Sequence, residues 1–181
     1  MAEAAGPDEP TGGAGKAPSL RVAPIRPEEA ADRAVVAAIV ALWHAAGLTR
    51  PWNDPVADIA LASRGPDSTI LIARRPDDAA DPANAPDGVV TAATAHGGPV
   101  LATAMVGHDG HRGWVYYLAV APDAKGRGYG RAMMDAAEAW LRARGVPKVQ
   151  LMVRRDNTAV LGFYDALGYG VDDVVVRSKR F

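Results

Sequence analysis

The apolar residues of this chain recur at two spacings, one typical of strands and the other typical of amphipathic helices. Short apolar or alternating runs predict strands at residues 20–25, 69–74, 100–106, 114–120, 148–153 and 171–179. The run at 114–120 is apolar on both faces, which indicates a strand in the middle of a covered sheet.

Four helices are predicted between these strands. Pro27 suits the first turn of one helix, Asp54 precedes a proline as an N-cap, and Gly168 is a typical helix end. Helical spacing and these signals place the helices at residues 27–47, 54–63, 129–145 and 157–168. The predicted order is β-α-α-β-β-β-α-β-α-β, an α/β (α+β) domain with a mixed sheet and helices on both faces.

The composition bounds the classes of protein to which the chain can belong. Its 181 residues suggest one domain at 20–181, preceded by a disordered tail at 1–19 and interrupted by a surface loop at 75–84. A net charge of −1 argues against nucleic acid or an acidic membrane as a partner. The apolar run at 34–47 is shorter than the ~20 residues of a membrane span. The lack of cysteine fits a cytoplasmic protein without disulfides.

A glycine-rich turn follows the strand at 114–120. Gly126, Gly128 and Gly130 leave backbone N–H groups uncovered where the next helix begins. Those amides and the positive end of the helix dipole predict an anion site, and the expected anion is a phosphate. A Walker loop needs Lys-Ser/Thr after its last glycine, and a dinucleotide fingerprint needs Gly-x-Gly-x-x-Gly, so both fit poorly.

Two segments resemble the GNAT superfamily of acyl-CoA-dependent N-acetyltransferases. Lys125-Gly-Arg-Gly-Tyr-Gly130 is similar to its signature (Gln/Arg)-x-x-Gly-x-(Gly/Ala), with lysine where the family usually has arginine or glutamine. The run from Asn157 to Tyr169 resembles its second signature, Asn…Tyr…Gly-Phe/Tyr. The resemblance covers residues 20–181, and segments 48–55, 109–113 and 168–169 suggest the YpeA-like bacterial branch.

The resemblance implies a site for acetyl-CoA. The cosubstrate is expected in a cleft where the parallel strands at 114–120 and 148–153 splay apart. Its diphosphate would bind the amides of Lys125, Gly126, Arg127, Gly128, Tyr129, Gly130 and Arg131. Its pantetheine arm would pair with the backbone of Leu118, Ala119 and Val120, and one amide near Leu118 would polarise the thioester. Asn157 would contact the same arm, cap its helix, or do both.

The resemblance also implies direct attack by a primary amine in a ternary complex, because no cysteine is present to form an acyl-enzyme. Tyr164 is the candidate general acid for the leaving thiolate, although its spacing alone fits a core tyrosine. The base stays open among Asp54, Asp109 and a water chain, because the strand at 114–120 has no carboxylate where many relatives carry glutamate.

The acceptor is left open by the sequence. Arg50, Trp52, Asn53 and Asp54 lie where the family borders its acceptor pocket, and an arginine there suits an acceptor carboxylate. A solvated capping loop explains the same residues, and Tyr116 fits either acceptor contact or sheet packing. The acceptor is a small-molecule amine or a protein amino group. A non-catalytic acyl-CoA sensor is the alternative function. The predicted edge strands near the C-terminus suit a homodimer.

Two histidines in the predicted hairpin turn raise the question of a metal. His108 and His111 flank an Asp-Gly pair, and no further ligand accompanies them at a spacing that favours zinc. We therefore expect no metal.

Overall fold

The structure, a computed structural model, describes residues 20–75 and 97–179 of the chain. The predicted tail at 1–19 and most of the predicted loop at 75–84 lie outside these residues. Within the described part of the chain, no helix has the length and apolar character needed to cross a membrane.

The strands form one five-stranded sheet whose spatial order is the chain order. The first four are antiparallel to their neighbours, whereas the last pairs parallel with the fourth. They are β1 (Arg21–Pro24), β2 (Ser68–Arg74), β3 (Ala102–His108), β4 (Gly113–Val120) and β5 (Val149–Leu151). The predicted mixed sheet is therefore confirmed.

In the part of the chain that the structure describes, five helices accompany the sheet. They are α1 (Pro27–Ala31), α2 (Arg33–Ala45), α3 (Pro55–Ala62), α4 (Tyr129–Arg142) and α5 (Thr158–Asp165), with a short 3₁₀ turn at Pro122–Ala124. α4 lies against β1 to β4, and α2 contacts β4 and α3. Residues Thr69–Ala73 of β2 are buried in succession, so both faces of the sheet are covered there.

The predicted helix at 27–47 is divided into α1 and α2. Asp32 adopts an extended conformation (φ −78°, ψ 116°), and its carboxylate accepts a hydrogen bond from the Ala34 amide at 2.7 Å. An aspartate that satisfies a nearby amide in this way begins a new helix rather than continuing the old one. The prediction of one continuous helix was wrong at this residue.

The predicted strand at 171–179 is not formed, because the segment pairs with no strand of the described sheet. Val171 is 93% exposed and Val175 is 80% exposed. A β-branched run favours a strand only when a neighbouring strand supplies hydrogen bonds and a surface to cover. The predicted strand at 148–153 is likewise shorter, since β5 ends at Leu151.

Candidate functional site

β4 and β5 part midway along the sheet. They pair in parallel only from Gly113 and Val149 to Val115 and Leu151, whereas β4 continues to Val120. The predicted splay between the two strands is confirmed. Among the described residues, no strand pairs with the second half of β4 on its β5 side. An extended ligand can add hydrogen bonds there as another strand would.

The antiparallel ladder between β3 and β4 is interrupted opposite this opening. Thr103 pairs with Ala119 and Met105 pairs with Tyr116, so two β4 residues, Tyr117 and Leu118, face one β3 residue. Tyr117 has φ +50°, a left-handed conformation that costs a non-glycine residue of order 1–3 kcal/mol. The register shift is a β-bulge at Tyr117 and Leu118, and a bulge of this kind bends its strand.

Side chains from three other elements hold Tyr117 in this conformation. Its ring stacks on Trp43 at 4.0 Å between centroids, with 11° between the planes. Its hydroxyl donates to Asp58 Oδ2 at 2.7 Å and accepts from Asn53 Nδ2 at 2.9 Å. Burial, followed by the bond to Asp58, raises the pKa of Tyr117, so the phenol stays neutral. The contacts explain how the strained bulge persists.

Two consecutive hydrogen bonds in the core support the other side of the bulge. Trp43 is fully buried, and its indole Nε1 donates to Thr103 Oγ1 at 2.9 Å. The Thr103 hydroxyl in turn donates to the Tyr117 carbonyl at 3.5 Å. Since a buried donor without an acceptor costs about 1–3 kcal/mol, the threonine hydroxyl fixes the indole and the bulge together.

The glycine turn ends directly at the first residue of α4. Gly126 has φ +75°, and Gly128, the N-cap, has φ +79°. No side chain caps the helix, and the Ala132 amide is the first to donate into it, to the Gly128 carbonyl at 3.1 Å. A Cβ added at Gly126 or Gly128 would meet no atom within 4 Å, so space adjoins the amides. The turn therefore presents uncapped amides at the positive end of a helix, an arrangement suited to an anion.

The side chains around the turn differ in what they can contribute. Those of Lys125 and Arg127 are exposed, whereas that of Tyr129 is 3% exposed and buried in the core. The Arg131 guanidinium donates to the Ala166 carbonyl at 3.2 Å, at the C-terminal end of α5. Tyr129 therefore offers a ligand only its backbone, and the residues with free cationic ends are Lys125 and Arg127.

Tyr164 lies on α5, close to the glycine turn. A Cβ added at Gly130 would come within 3.2 Å of the Phe163 ring, so α5 lies against the start of α4 at the residue beside Tyr164. The Tyr164 ring is 8% exposed and meets Phe163 and Tyr169 edge to face. Burial raises the pKa of Tyr164 to about 12, so its phenol is protonated at neutral pH.

Asn157 caps α5, as one of its two predicted roles requires. Its side-chain oxygen accepts from the Val160 amide at 3.4 Å, and the residue is exposed. Its capping role is confirmed, and its contact with the cofactor arm stays a prediction.

The residues predicted to border the acceptor do not act as one group. Arg50 donates to the carbonyls of Gly47 and Thr49, both at 2.9 Å, and Trp52 is 59% exposed. Asp54 caps α3 by accepting from the amides of Val56 and Ala57, each at 3.0 Å. Asn53 and Tyr116, in contrast, both line a cavity beside the bulge.

This acceptor-side cavity has a volume of about 430 Å³. Its walls combine apolar and aromatic side chains with three carboxylates. The lining residues that concern the chemistry are Asn53, Asp58, Leu61, Asp67, Met105, His108, Asp109, Trp114, Tyr116 and Tyr117. Asp58 and Tyr117 are the residues that sequence analysis missed. Asp58 belongs to no motif, and in sequence Tyr117 differs in nothing from a strand residue packed in the sheet, because only the bulge distinguishes it.

A second cavity, of about 900 Å³, lies between β5, α5 and the segment after Gly168. Tyr164 and Trp114 line it, but no residue of 118–120 or 125–131 does. Its outer wall is the unpaired segment 170–176. We therefore locate the candidate cofactor groove by the parted strands and the glycine turn, and not by the size of this cavity.

Asp109 holds the turn between β3 and β4. Its carboxylate accepts from the amides of Arg112 at 2.7 Å and His111 at 2.9 Å, and from Trp114 Nε1 at 3.3 Å. These bonds, that of Arg112 first, lower the pKa of Asp109 from 3.8 to about 2. A carboxylate so well supplied with donors is a poor proton acceptor.

Comparison with known proteins places these features in one family. A family model described as the acetyltransferase (GNAT) family matches residues 49–169. The chain is 37% identical over 142 residues to an acetyltransferase of Yersinia enterocolitica, covering 78% of this chain and 86% of that protein. It is 38% identical over 143 residues to an acetyltransferase of Pectobacterium atrosepticum, covering 79% and 86%.

Solved structures share the fold at much lower identity. AAC(6')-Iy in complex with the bisubstrate analogue CoA-S-monomethyl-acetylneamine superposes with a TM-score of 0.62 at 15% identity, covering 90% of this chain and 99% of that one. The ribosomal-protein-alanine N-acetyltransferase of Brucella melitensis gives a TM-score of 0.58 at 15% identity, with the same coverage. At such identities the likeness concerns the fold alone.

Proposed function

The chain belongs to the GNAT family of acetyltransferases, and on that premise we propose that it transfers an acetyl group from acetyl-CoA to a primary amine. The observation that carries the proposal is the parting of β4 and β5 beside an uncapped, glycine-rich helix start. The opening suits an extended arm, and the helix start suits the diphosphate at its end.

Binding of acetyl-CoA is assigned to backbone groups more than to side chains. The amides of residues 125–131 would hold the diphosphate, with Lys125 and Arg127 adding positive charge from the exposed side. Leu118, Ala119 and Val120 would pair with the pantetheine arm along the opened half of β4. The proposal is supported by the absence of a side-chain cap on α4 and by the open space at Gly126 and Gly128.

The backbone amide near Leu118 would polarise the thioester carbonyl. Leu118 shares the bulge with Tyr117, whose left-handed conformation interrupts pairing with β3. A fixed amide aimed at a developing oxyanion contributes about 3 kcal/mol to transition-state stabilisation in other enzymes. Tyr117, Trp43 and Thr103 would thus act as positioning residues for this donor.

Tyr164 would protonate the departing CoA thiolate. Its buried phenol is neutral at neutral pH and lies next to Phe163, which touches the glycine turn. A neutral phenol is the form that can donate the proton. The acceptor amine would attack the thioester directly, with both substrates bound, because the sequence has no cysteine to carry the acetyl group.

A small-molecule amine is the acceptor that the site favours. The acceptor-side cavity encloses about 430 Å³ beside the bulge, a volume suited to a small molecule. A likeness of fold to both small-molecule and protein acetyltransferases does not separate the two classes, so the cavity carries this part of the proposal.

The enzyme would form a homodimer through its C-terminal segment. β5 is an edge strand, and the segment after it exposes Val171, Val174, Val175 and Val176. An unpaired β-branched run beside an open sheet edge is suited to pair with a second copy.

The proposed reaction is tested by thiol release from acetyl-CoA across a panel of amines. The panel holds alkyl and aromatic amines, a polyamine, an aminoglycoside and a peptide with an N-terminal alanine. Thiol release that requires both the enzyme and one of these amines is expected. Calorimetric binding of acetyl-CoA without thiol release for any amine would instead indicate a sensor. Release with the peptide alone would contradict the small-molecule acceptor.

A further inference from the structure

The proposed acetyl transfer leaves one proton without an acceptor. An alkylamine is an ammonium ion at neutral pH and must lose a proton before its nitrogen can attack. β4 carries no carboxylate, Asp54 is engaged as the cap of α3, and Asp109 already accepts three hydrogen bonds. The acceptor-side cavity contains two further carboxylates, Asp58 and Asp67.

Asp58 is the better placed of these two carboxylates. The Asp67 side chain is 70% exposed and lies 3.6 Å from His108 at the rim. Asp58 is partly buried in the first turn of α3, where the Tyr117 hydroxyl fixes one of its oxygens at 2.7 Å. A carboxylate has lone pairs beyond the one that this bond uses, so Asp58 can accept a further hydrogen bond from an ammonium group.

Tyr117 connects this carboxylate to the thioester side of the site. Its side chain ends at Asp58, and its backbone is the bulge next to Leu118. The stacking on Trp43 and the bond from Asn53 leave the tyrosine little freedom. Asp58 therefore has a fixed position relative to the amide proposed to polarise the thioester.

The cavity walls suit an amine with an apolar or aromatic body. Trp114 and Tyr116 lie parallel, 6.3 Å apart with 12° between their planes, and Tyr116 is 40% exposed. Met105 and Leu61 add apolar surface, and no lysine or arginine is among the lining residues that the structure describes. Aromatic faces attract ammonium groups, and three carboxylates add negative potential.

We propose, on the basis of the acetyl transfer proposed above, that Asp58 binds the ammonium group of a small aromatic or apolar primary amine and takes its proton. The N–H bond breaks and an O–H bond forms on the Asp58 carboxylate, which later releases that proton to water. The neutral nitrogen bonds to the thioester carbon, and the C–S bond breaks. Tyr164 protonates the thiolate and recovers its proton from the nitrogen as the amide forms.

The test compares Asp58→Asn with the unsubstituted enzyme on benzylamine, an ammonium ion at neutral pH, and on aniline, a neutral amine. Asparagine keeps an oxygen for the Tyr117 hydroxyl but cannot take the proton. We expect kcat/KM for benzylamine to fall about hundredfold or more and that for aniline to change little. Asp135→Asn, which removes one charge from the exposed side of α4, is the matched control and should leave both values unchanged.

A binding measurement accompanies the kinetics. In the presence of CoA, calorimetry should show benzylamine binding more tightly than benzyl alcohol, its neutral counterpart, and Asp58→Asn should abolish that preference. Unchanged CoA affinity in the variant shows that it is folded.

Three outcomes would overturn the proposal. They are undiminished benzylamine turnover in Asp58→Asn, an equal loss on both amines, and an unsubstituted enzyme that acetylates other amines but neither binds nor acetylates these two. The last leaves the proposed acetyl transfer intact. If the unsubstituted enzyme releases no thiol with any amine of the panel, the proposed acetyl transfer itself is contradicted. The role proposed for Asp58 is then contradicted as well.

Discussion

At the scale of single residues, two tyrosines take different parts in the site. Tyr164 is buried among aromatic rings, and burial raises its pKa to about 12. Tyr117 is held by a carboxylate, an amide and an indole in a backbone conformation that few tyrosines adopt. The first is assigned to proton donation and the second to the position of the backbone.

Removal of the Tyr164 hydroxyl tests its assigned chemistry. Tyr164→Phe should lower kcat by on the order of a hundredfold, because the thiolate then leaves unprotonated. The affinity for acetyl-CoA should stay nearly unchanged, since the ring remains in place. Assays of thiol release measure kcat, and calorimetric titration measures the affinity for acetyl-CoA. Weakened acetyl-CoA binding with kcat preserved would show that Tyr164 is structural.

We expect Asp109 to make the turn between β3 and β4 sensitive to acid. Its pKa is lowered from 3.8 to about 2, so its hydrogen bonds stabilise the fold above pH 3.8, and that stabilisation is lost as the pH falls toward about 2. Asp109→Asn should therefore unfold at a lower temperature at neutral pH and show a shallower loss of stability over that acid range. Thermal melts at several pH values measure both.

The Asp109 variant needs a control for the loss of one negative charge. Asp135→Asn removes a carboxylate from the exposed side of α4 without touching the turn. Identical acid profiles for the Asp109 variant and the unsubstituted protein would show that the turn does not depend on this carboxylate.

At the scale of elements, the start of α4 is the part of the site whose conformation depends most directly on the local sequence. Glycine at 126 and 128 permits the left-handed conformations observed there, and neither position has a neighbour that a side chain would strike. The amides at the start of α4 stay exposed because no side chain of the turn accepts a hydrogen bond from them.

A matched pair of substitutions separates charge from shape in this turn. Gly126→Asp and Gly126→Asn both place a short side chain that tolerates a left-handed conformation, and both project into open space. The aspartate should weaken CoA binding about tenfold relative to the asparagine, because its charge repels a diphosphate at the same amides. Calorimetric titration of each variant with CoA gives the comparison. Equal affinities would place the diphosphate elsewhere.

The elements differ in how far the sequence could predict them. The caps at Asp54 and Asn157 and the glycine turn are local signals, and the structure contains all three. No glycine or proline marks the boundary between α1 and α2 at Asp32 or the β-bulge at Tyr117. They depend on competing local hydrogen bonds and on contacts with Trp43 and Asp58, which lie 59 or more residues away from Tyr117 in sequence.

The same distinction between local signals and distant contacts holds for the candidate site. The residues proposed to bind acetyl-CoA through their backbone were assigned from the resemblance of the glycine turn and of the segment from Asn157 to the family's signatures. Asp58 was not predictable, since nothing in its surroundings differs from an exposed helix position until Tyr117 meets it across the fold.

At the scale of the whole molecule, the open edge of the sheet and the unpaired C-terminal segment predict a dimer. Val171 and Val175 are among the most exposed apolar side chains of the described chain. Sedimentation should show a dimer, and Val175→Lys, which adds charge to the segment, should shift it toward monomer. A monomeric unsubstituted protein at assay concentrations would contradict the prediction.

The proposed function depends on transfer of the acetyl group to nitrogen, and a labelled acetyl group reports this transfer most directly. The enzyme is incubated with acetyl-CoA deuterated in the acetyl group and with the amine panel, and products are identified by mass spectrometry. We expect the label in an amide of at least one amine, formed together with an equal amount of free CoA and only when the enzyme is present. Label found only in acetate, or retained on CoA with every amine, would show that the protein does not transfer the acetyl group to nitrogen.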